Sequence, residues 1–480
     1  MGRVREQRKY PDGPRLRLPL VIIGQMLPKR FPFDPLAFAA GIARDFGDIA
    51  HYRLGPMHVY QLNHPSPIRE VLVEKADKFN KPRLMKRGLR PTAGDGLLTS
   101  DGALWKRQRK LIQPAFQHDR LGAYASVMVA HAQSMMDSYR EGEVRDIGAD
   151  MAVLTLGIVV KCLFGSDLPS EARDIGRPML AVLDAANERL NSVLRISSWL
   201  PTARNRREKR AIAELDAILQ LLIRTRRAGQ ESGGDLLSVL LAAADEESGA
   251  RMSDRQLRDE LMTLFGAGHE TTAVALTWTW YLLSCHPEVQ AKLDEELDRV
   301  LAGRPPSVSD LPRLPYTEMV IREVLRLYPP APGFAREPVE DVTIGGYEIP
   351  KGSLITISTH ALHHDPRFFP DPERFDPERF APAWEERIPR HAYLPFGGGP
   401  RVCIGNGFAM MEARLILATM AQQCRLTMNP SDTIRPVQLV TLRPSAPVRM
   451  KVERRRTETS RATGLSFEPP SPHVPFQLGL

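Results

Sequence analysis

Cysteine is scarce: Cys162, Cys285, Cys403 and Cys424 are the four in 480 residues. They stand far apart, with no CxxC pair and no Cys/His set at zinc-ligand spacing. A disulfide-stapled scaffold and a zinc module are thereby excluded, and a reduced, intracellular protein fits best. No segment repeats at a period of about 20–50 residues, which excludes solenoids and propellers. Near the N-terminus the apolar stretch LPLVIIGQML is interrupted by Pro19, Gly24 and Gln25. It is too short to span a bilayer and lacks a small-residue cleavage site. The expectation is a cytoplasmic protein without a transmembrane anchor, and peripheral membrane contact through this basic and apolar start is a second reading. The net charge is +8, but bases are interleaved with acids and no nucleic-acid motif accompanies them. No nucleic-acid partner is expected, and the charge favours an acidic protein partner.

What is present is ordinary globular composition, 42% hydrophobic and 25% charged. The chain divides into a proline-rich and basic lead-in (residues 1–30), one long domain (31–454) and a polar, proline-rich tail (455–480) expected to be disordered. HYRLGPMHVYQLN reads as a hairpin, and helical periodicity dominates from Leu97 to Ala302. Within that span RNRREKRAIAELDAILQLLIRTRRA is an amphipathic helix with a solvated charged side. VTIGGYEIPKGSLITIS reads as two β-rich runs, the stretch from Pro366 to Pro400 as a functional loop, and TLRPSAPVRMKV as strand. The fold class is therefore mostly α with a smaller β portion.

One loop carries the chemistry. In YLPFGGGPRVCIGNGFAMMEARLIL, three glycines and a proline lead to Arg401 and Cys403, more glycines follow, and a helix opens after Gly407. Backbone N–H groups, a helix N-terminus and a cation are the features that keep a thiolate ionised. Four readings stand open on these residues alone. The cysteine is a buried structural thiol, or a nucleophile with His391 as the only histidine near it in sequence. The loop could otherwise be a phosphate cradle, although it lacks the Walker lysine, or the cysteine an axial thiolate for haem iron.

Phe396-x-x-Gly399-x-Arg401-x-Cys403-x-Gly405 resembles, position for position, the haem-binding signature of the cytochrome P450 family. The resemblance implies that Cys403 is the metal ligand, that Arg401 pairs with a haem propionate, and that Phe396 packs under the ring near the sulfur, with Gly405 part of the same cradle. Other segments support it. LMTLFGAGHETTAVALTWTWYLL is apolar enough to pass for a membrane span, yet it carries His269, Glu270 and threonines and starts at a Ser253/Gln256 capping-box spacing. It is expected to be a central buried helix. Within it, Ala267-Gly268-His269-Glu270-Thr271-Thr272 resembles the family's oxygen-activation segment. Ala267 lies four residues before Thr271, so the hydroxyl can take that carbonyl from the helix ladder and open a local kink. Glu270 and Thr271 then form an acid and alcohol pair for proton delivery.

Glu323 and Arg326 lie three apart on one helical face, an arrangement usually worth little at a surface. The resemblance makes them a structural triad with an arginine of PERFDPERF. Arg374 and Arg379 both qualify, and Arg379 is chosen as nearer the cysteine. Trp105 and Arg109 share a helical face, and the resemblance places both, with Arg336, at haem propionates, where arginine's bidentate geometry is suited. Lys106, Arg107 and Lys110 form a basic patch that is either a solvated face or a docking surface for an acidic electron carrier. His360, His363 and His364 in HALHHDP are read as structural rather than metal-binding.

The resemblance spans nearly the whole chain and implies the cytochrome P450 fold around one buried haem b. The implied activity is haem-thiolate monooxygenation, in which one atom of dioxygen enters a C–H bond of a lipophilic substrate such as a fatty acid, terpenoid or steroid. Electrons would come from NAD(P)H through a separate ferredoxin or flavodoxin and its reductase, and the protein would be a monomer. The pocket is expected between RLMKRGLRPTAGDGLL, the helix near Phe265 and Ala267, PAPGF, and the turn at Val440 and Thr441. Two other readings keep the fold: a peroxygenase, isomerase or dehydratase that does not use dioxygen, and a non-catalytic haem sensor. The Glu270/Thr271 pair argues against both.

Overall fold

The computed structural model describes residues 10–14, 34–165, 175–178, 181–182, 185, 202–228, 235–245, 249–429 and 431–455. The LPLVIIGQML stretch and the tail beyond 455 lie outside the described residues, as do the expectations for them.

The helical periodicity resolves into α1 (Gly102–Ile112), α2 (His118–Ser138), α3 (Ile147–Phe164), α4 (Asp254–Cys285), α5 (Pro315–Leu327) and α6 (Asn406–Ala421), with further helices at Ala203–Ala228 and Pro287–Leu301 among others. α4 is the axis of the molecule. The Ser253 hydroxyl accepts the Gln256 N–H at 3.3 Å, which is the forward half of the capping box. Beyond Thr272 the helix is apolar on nearly every side, and Trp278 and Trp280 are fully buried. A helix of that kind has to be enclosed. α3 runs against it, with α5 and α6 on other flanks. Burying the Trp278 indole is tolerated because its N–H donates to the Leu442 carbonyl at 2.8 Å.

Among the described residues one helix, Ile147–Phe164, is long and apolar enough to cross a membrane, and 56% of that window is buried inside the protein. Its apolar character is spent on α4, where Thr155 of α3 also donates to the His269 carbonyl at 3.1 Å.

Among the described residues the β portion is four sheets of two to five strands. β1 (Ile49–Leu54) and β2 (Met57–Leu62) form the expected hairpin, with Leu54 opposite Met57 across the Gly55-Pro56 turn. β2 continues in parallel to β8 (Leu354–Ile357), then β5 (Phe334–Pro338) and β3 (Phe79–Asn80). β4 (Val144–Asp146), β12 (Arg449–Arg454) and β9 (Cys424–Met428) make a second sheet. Two expectations need correction. VTIGGYEIPKGSLITIS holds three strands: β6 (Val342–Ile344) and β7 (Tyr347–Ile349) turn on Gly345 and Gly346, both at positive φ, and only β8 joins the larger sheet. TLRPSAPVRMKV is split as well. β11 (Leu442–Pro444) pairs with β10 (Pro436–Gln438), while β12 belongs elsewhere. Pro444 and Pro447 cannot donate to a ladder, so the run cannot remain one strand.

Candidate functional site

Between α4 and the cysteine loop lies a cavity of about 440 Å³. Ala267, Gly268, Thr271 and Thr272 form its helical wall, and Phe396, Cys403 and Gly405 face them. The loop is closed on itself by the Cys403 N–H, which donates to the Phe396 carbonyl at 2.9 Å. Gly399 adopts φ +67°, and a Cβ there would lie 1.8 Å from the Leu72 carbonyl oxygen, so no other residue fits. α6 starts at Asn406, slightly earlier than expected.

Cys403 lines this cavity and is exposed there. Burial pushes its pKa up, while the Gly405 N–H and then the Arg109 guanidinium act in the opposite direction. The cation beside the sulfur is thus Arg109, whose Nη1 donates to the Val402 carbonyl at 2.8 Å. Arg401, expected in that place, is turned away. It pairs with Asp101 at 2.6 Å, donates to the Phe79 carbonyl at 3.2 Å, and lies 4.7 Å over the Trp105 ring.

The structure brings Trp105, Arg109, Arg336 and Arg401 to the same cavity and adds Lys81, which the sequence reading missed. A lysine between Asn80 and Pro82 carries no motif, and only the convergence of strand β3 with α1 reveals it. Its Nζ donates to the Leu97 and Ser100 carbonyls at 2.8 and 2.6 Å, and burial lowers its pKa to about 7. Arg336 donates to the Ala335 carbonyl, and its pKa is lowered to about 10 by burial and by the repulsion of Arg401. Asp101, the acid within this cluster, is already shared by Arg401 and Lys86. Three buried or half-buried guanidinium groups, with a buried lysine that a nearby anion would keep protonated, around one engaged carboxylate are a site for a dianion. The two propionates of haem b meet that demand, and Cys403 supplies a sulfur donor to the same cavity, so the residues present fit the group.

On the opposite wall the Thr271 hydroxyl donates to the Ala267 carbonyl at 2.7 Å, as the spacing required. Thr263, Thr272, Thr277 and Thr279 make the same bond four residues back, and α4 remains one continuous helix. The back-bond therefore does not single out Thr271; its position on the cavity does. Glu270 is not brought to the cavity. A helical step of one residue rotates it away, and its carboxylate accepts from Thr441 Oγ1 at 2.5 Å and from Arg443 at 2.6 and 2.9 Å. The pocket walls are largely as expected, including Met85, Leu97, Leu98, Ala331 and Phe334. Leu264 takes the place foreseen for Phe265, which is fully buried, and Val440 and Thr441 do not line this cavity.

Glu323 and Arg326 are both wholly buried, paired at 2.7 and 2.8 Å, which makes this no surface bridge. Arg379 Nε lies 3.3 Å from Glu323 Oε1, whereas Arg374 contributes its carbonyl to Arg326. His360, His363 and His364 sit in and just after a short helix at Thr359–His363, and among the described residues no His/Cys/Asp/Glu group has the arrangement of a metal site.

One buried acid lies near this wall without belonging to any motif. Glu412 of α6 is fully buried beside Thr272, and burial raises its pKa from 4.5 to about 8. The folded state holds this proton more tightly than the unfolded chain. Its stabilising share is therefore complete below the unfolded value and is lost as pH rises through about 8. Glu412→Gln is expected to flatten the fall of Tm between pH 5 and 9 and to be the more stable protein at pH 9. Parallel Tm–pH curves for the two proteins would show that Glu412 does not titrate in this range.

A sulfur donor in a largely apolar cavity, a cationic edge and a helix segment of small residues in the same lining define a haem-thiolate protein. The cytochrome P450 family profile matches residues 11–452. The chain is 40% identical over 423 residues to cyclooctatin synthase of Streptomyces melanosporofaciens, covering 88% of this chain and 92% of that protein. It is 38% identical over 406 residues to cyclooctat-9-en-7-ol 5-monooxygenase of the same organism, covering 83% and 87%. The crystal structure of the cytochrome P450DA heme domain superposes with a TM-score of 0.80 at 29% identity, covering 88% of this chain and 94% of that one. The chain belongs to the cytochrome P450 family. It is a haem b monooxygenase acting on a lipophilic substrate with dioxygen, and its electrons come from NAD(P)H through a redox partner.

Proposed function

We propose that Cys403 is the iron ligand of this monooxygenase and that a cyclic terpenoid is its substrate. The observation that carries this is the cavity itself, which holds the Cys403 thiol and Thr271 and, apart from its cationic edge, is walled by apolar side chains such as Leu97, Leu98, Leu264, Ala331 and Phe334. With the cationic edge given to the haem propionates, the apolar part of the wall offers a hydrocarbon skeleton contact with few polar anchors, so shape decides orientation. The names of the two Streptomyces relatives support a ring-bearing substrate.

When bound, haem activates dioxygen so that one oxygen atom enters a substrate C–H bond and the other leaves as water, with two electrons and two protons consumed. Lys81, Arg109, Arg336 and Arg401 hold the propionate edge, with Trp105 stacked beneath Arg401. Phe396 and Gly405 flank the sulfur. Thr271 holds a proton at Oγ1 on the cavity wall, opposite the thiol. Glu270 joins that relay only on leaving Thr441 and Arg443, so the clamp keeps the acid apart from the cavity in the resting protein. Glu323, Arg326 and Arg379 form the triad that supports the loop.

Residues 31–454 act as a single domain, monomeric and cytoplasmic. The electron donor is an acidic ferredoxin or flavodoxin with its reductase. Lys106, exposed on α1 beside the cationic edge, belongs to its docking face. Arg107 is partly occupied by Asp245, 4.0 Å away, and contributes less.

The test is turnover under ¹⁸O₂ with a ferredoxin and reductase and a panel of cyclic sesquiterpene and diterpene hydrocarbons. Incorporation of one labelled atom supports the reading, and a panel that yields neither product nor a substrate-induced spin-state shift removes the terpenoid assignment. In the same assay Thr271→Ala is expected to keep NAD(P)H consumption but lower product per NAD(P)H by about tenfold, with hydrogen peroxide making up the balance. Unchanged coupling would take Thr271 out of proton delivery.

A further inference from the structure

His363 is fully buried, and both of its ring nitrogens are engaged. Nε2 lies 2.8 Å from the Leu394 backbone nitrogen, and Nδ1 lies 3.2 Å from the Arg326 carbonyl oxygen. A backbone N–H can only donate and a carbonyl can only accept. The imidazole is therefore neutral, with its proton on Nδ1 and its lone pair on Nε2. Burial reinforces this by holding the pKa well below the ordinary histidine value, and the neighbouring Arg326 guanidinium adds to it.

The two bonds join the buried charge pair to the cysteine loop. Arg326, held by Glu323, also donates through Nη1 to the carbonyl of His363 at 2.9 Å, so the histidine is fixed to α5 by its backbone and its ring. The ring stacks on Tyr393 at 5.1 Å, and the Tyr393 hydroxyl donates to the Arg322 carbonyl at 2.9 Å. Successive residues 393 and 394 are thus tied to α5, one through a side chain and one through its N–H. Two residues further on, the Phe396 carbonyl accepts the Cys403 N–H.

We propose that His363 is a positioning residue for the thiolate: its neutral ring transmits the fixed geometry of the Glu323/Arg326 pair to Leu394 and so sets where the Cys403 loop begins. The proposal rests on the reading of Cys403 as the iron ligand. Loss of the Nε2 acceptor leaves the Leu394 N–H buried and unpaired, and the loop start then drifts while α5 stays intact.

Three full-length variants test this. His363→Gln presents a carbonyl oxygen and an amide N–H at about the ring's spacing and can satisfy both partners. His363→Asn reaches the Arg326 carbonyl but falls short of Leu394. His363→Phe fills the space and satisfies neither. The readouts are haem content, Tm, the fraction of the reduced carbon monoxide complex with the red-shifted thiolate Soret band, and amide exchange in a peptide covering 391–403. The asparagine and phenylalanine variants are expected to bind haem yet convert to the shorter-wavelength form about tenfold faster than wild type, with faster exchange in 391–403. Glutamine should restore both to within about twofold. The decisive comparison is asparagine against glutamine, which does not require the phenylalanine variant to fold. If these two share the same conversion rate and exchange, or if conversion merely follows Tm across all variants, the positioning role is overturned. If wild type itself lacks the thiolate band, the assignment of Cys403 falls, and the exchange data still report whether His363 holds the loop.

Discussion

Cys403→Ser is expected to abolish the red-shifted Soret band of the reduced carbon monoxide complex and to lower product formation by more than about 100-fold. Losing even an outer partner of a metal ligand costs up to that factor, and here the proposed ligand itself is removed. Fold and cofactor should part company in this variant. Serine is nearly isosteric, the Cys403 N–H bond to Phe396 belongs to the backbone, and the cationic edge at Lys81, Arg109, Arg336 and Arg401 is untouched. Haem should therefore still bind, more weakly, in a protein of near-native Tm. A serine variant that kept the thiolate band would mean that another sulfur holds the iron. Among the described residues Cys162 and Cys424 are buried away from the cavity and Cys285 ends α4, so none of them is placed to do so.

The second large effect is expected at Glu323. Replacing it with leucine leaves the Arg326 guanidinium in a fully buried position with carbonyl partners but no countercharge. Removing one member of a buried pair costs about 3–5 kcal/mol, an appreciable share of a typical domain's stability. The variant should accumulate as haem-poor or insoluble protein. The informative comparison is the double variant Glu323→Leu/Arg326→Met. If the single variant suffers from an uncompensated charge, removing the charge as well recovers much of the loss, measured by urea unfolding and haem content. A double variant that is worse than the single would show that the pair serves chiefly as a hydrogen-bond scaffold for His363, Pro372 and Arg374, whose carbonyls Arg326 collects.

The parts of this site that could be read in advance were those whose chemistry is local in the chain. The loop around Cys403 declares itself because glycines that tolerate positive φ, a ligand and an arginine must lie within ten residues of one another. Thr271 and Ala267 could be linked because a helix fixes their separation. What could not be read was direction. Arg401 is adjacent to the cysteine in sequence but reaches to Asp101 and Trp105, leaving Arg109, nearly 300 residues earlier, as the cation at the sulfur. Glu270 follows the same logic, since its partners Thr441 and Arg443 lie just before and within β11, about 170 residues later, and no helical pattern links them to it. Lys81 and His363 were invisible as functional residues because each acts through backbone carbonyls or amides, and those partners carry no sequence signature. The boundary at Pro444 was legible in principle, since two prolines within four residues disfavour a single ladder.

The cationic edge of the cavity has a consequence for the life of the protein before it ever meets a substrate. Until a dianion arrives, like charges are held together at the junction of β3, α1 and the cysteine loop, and their mutual repulsion works against the packing that encloses them. The haem-free chain is therefore expected to be looser at this seam than the haem-bound one and to be cut there first by added protease, since a ligand that binds only the folded state stabilises it.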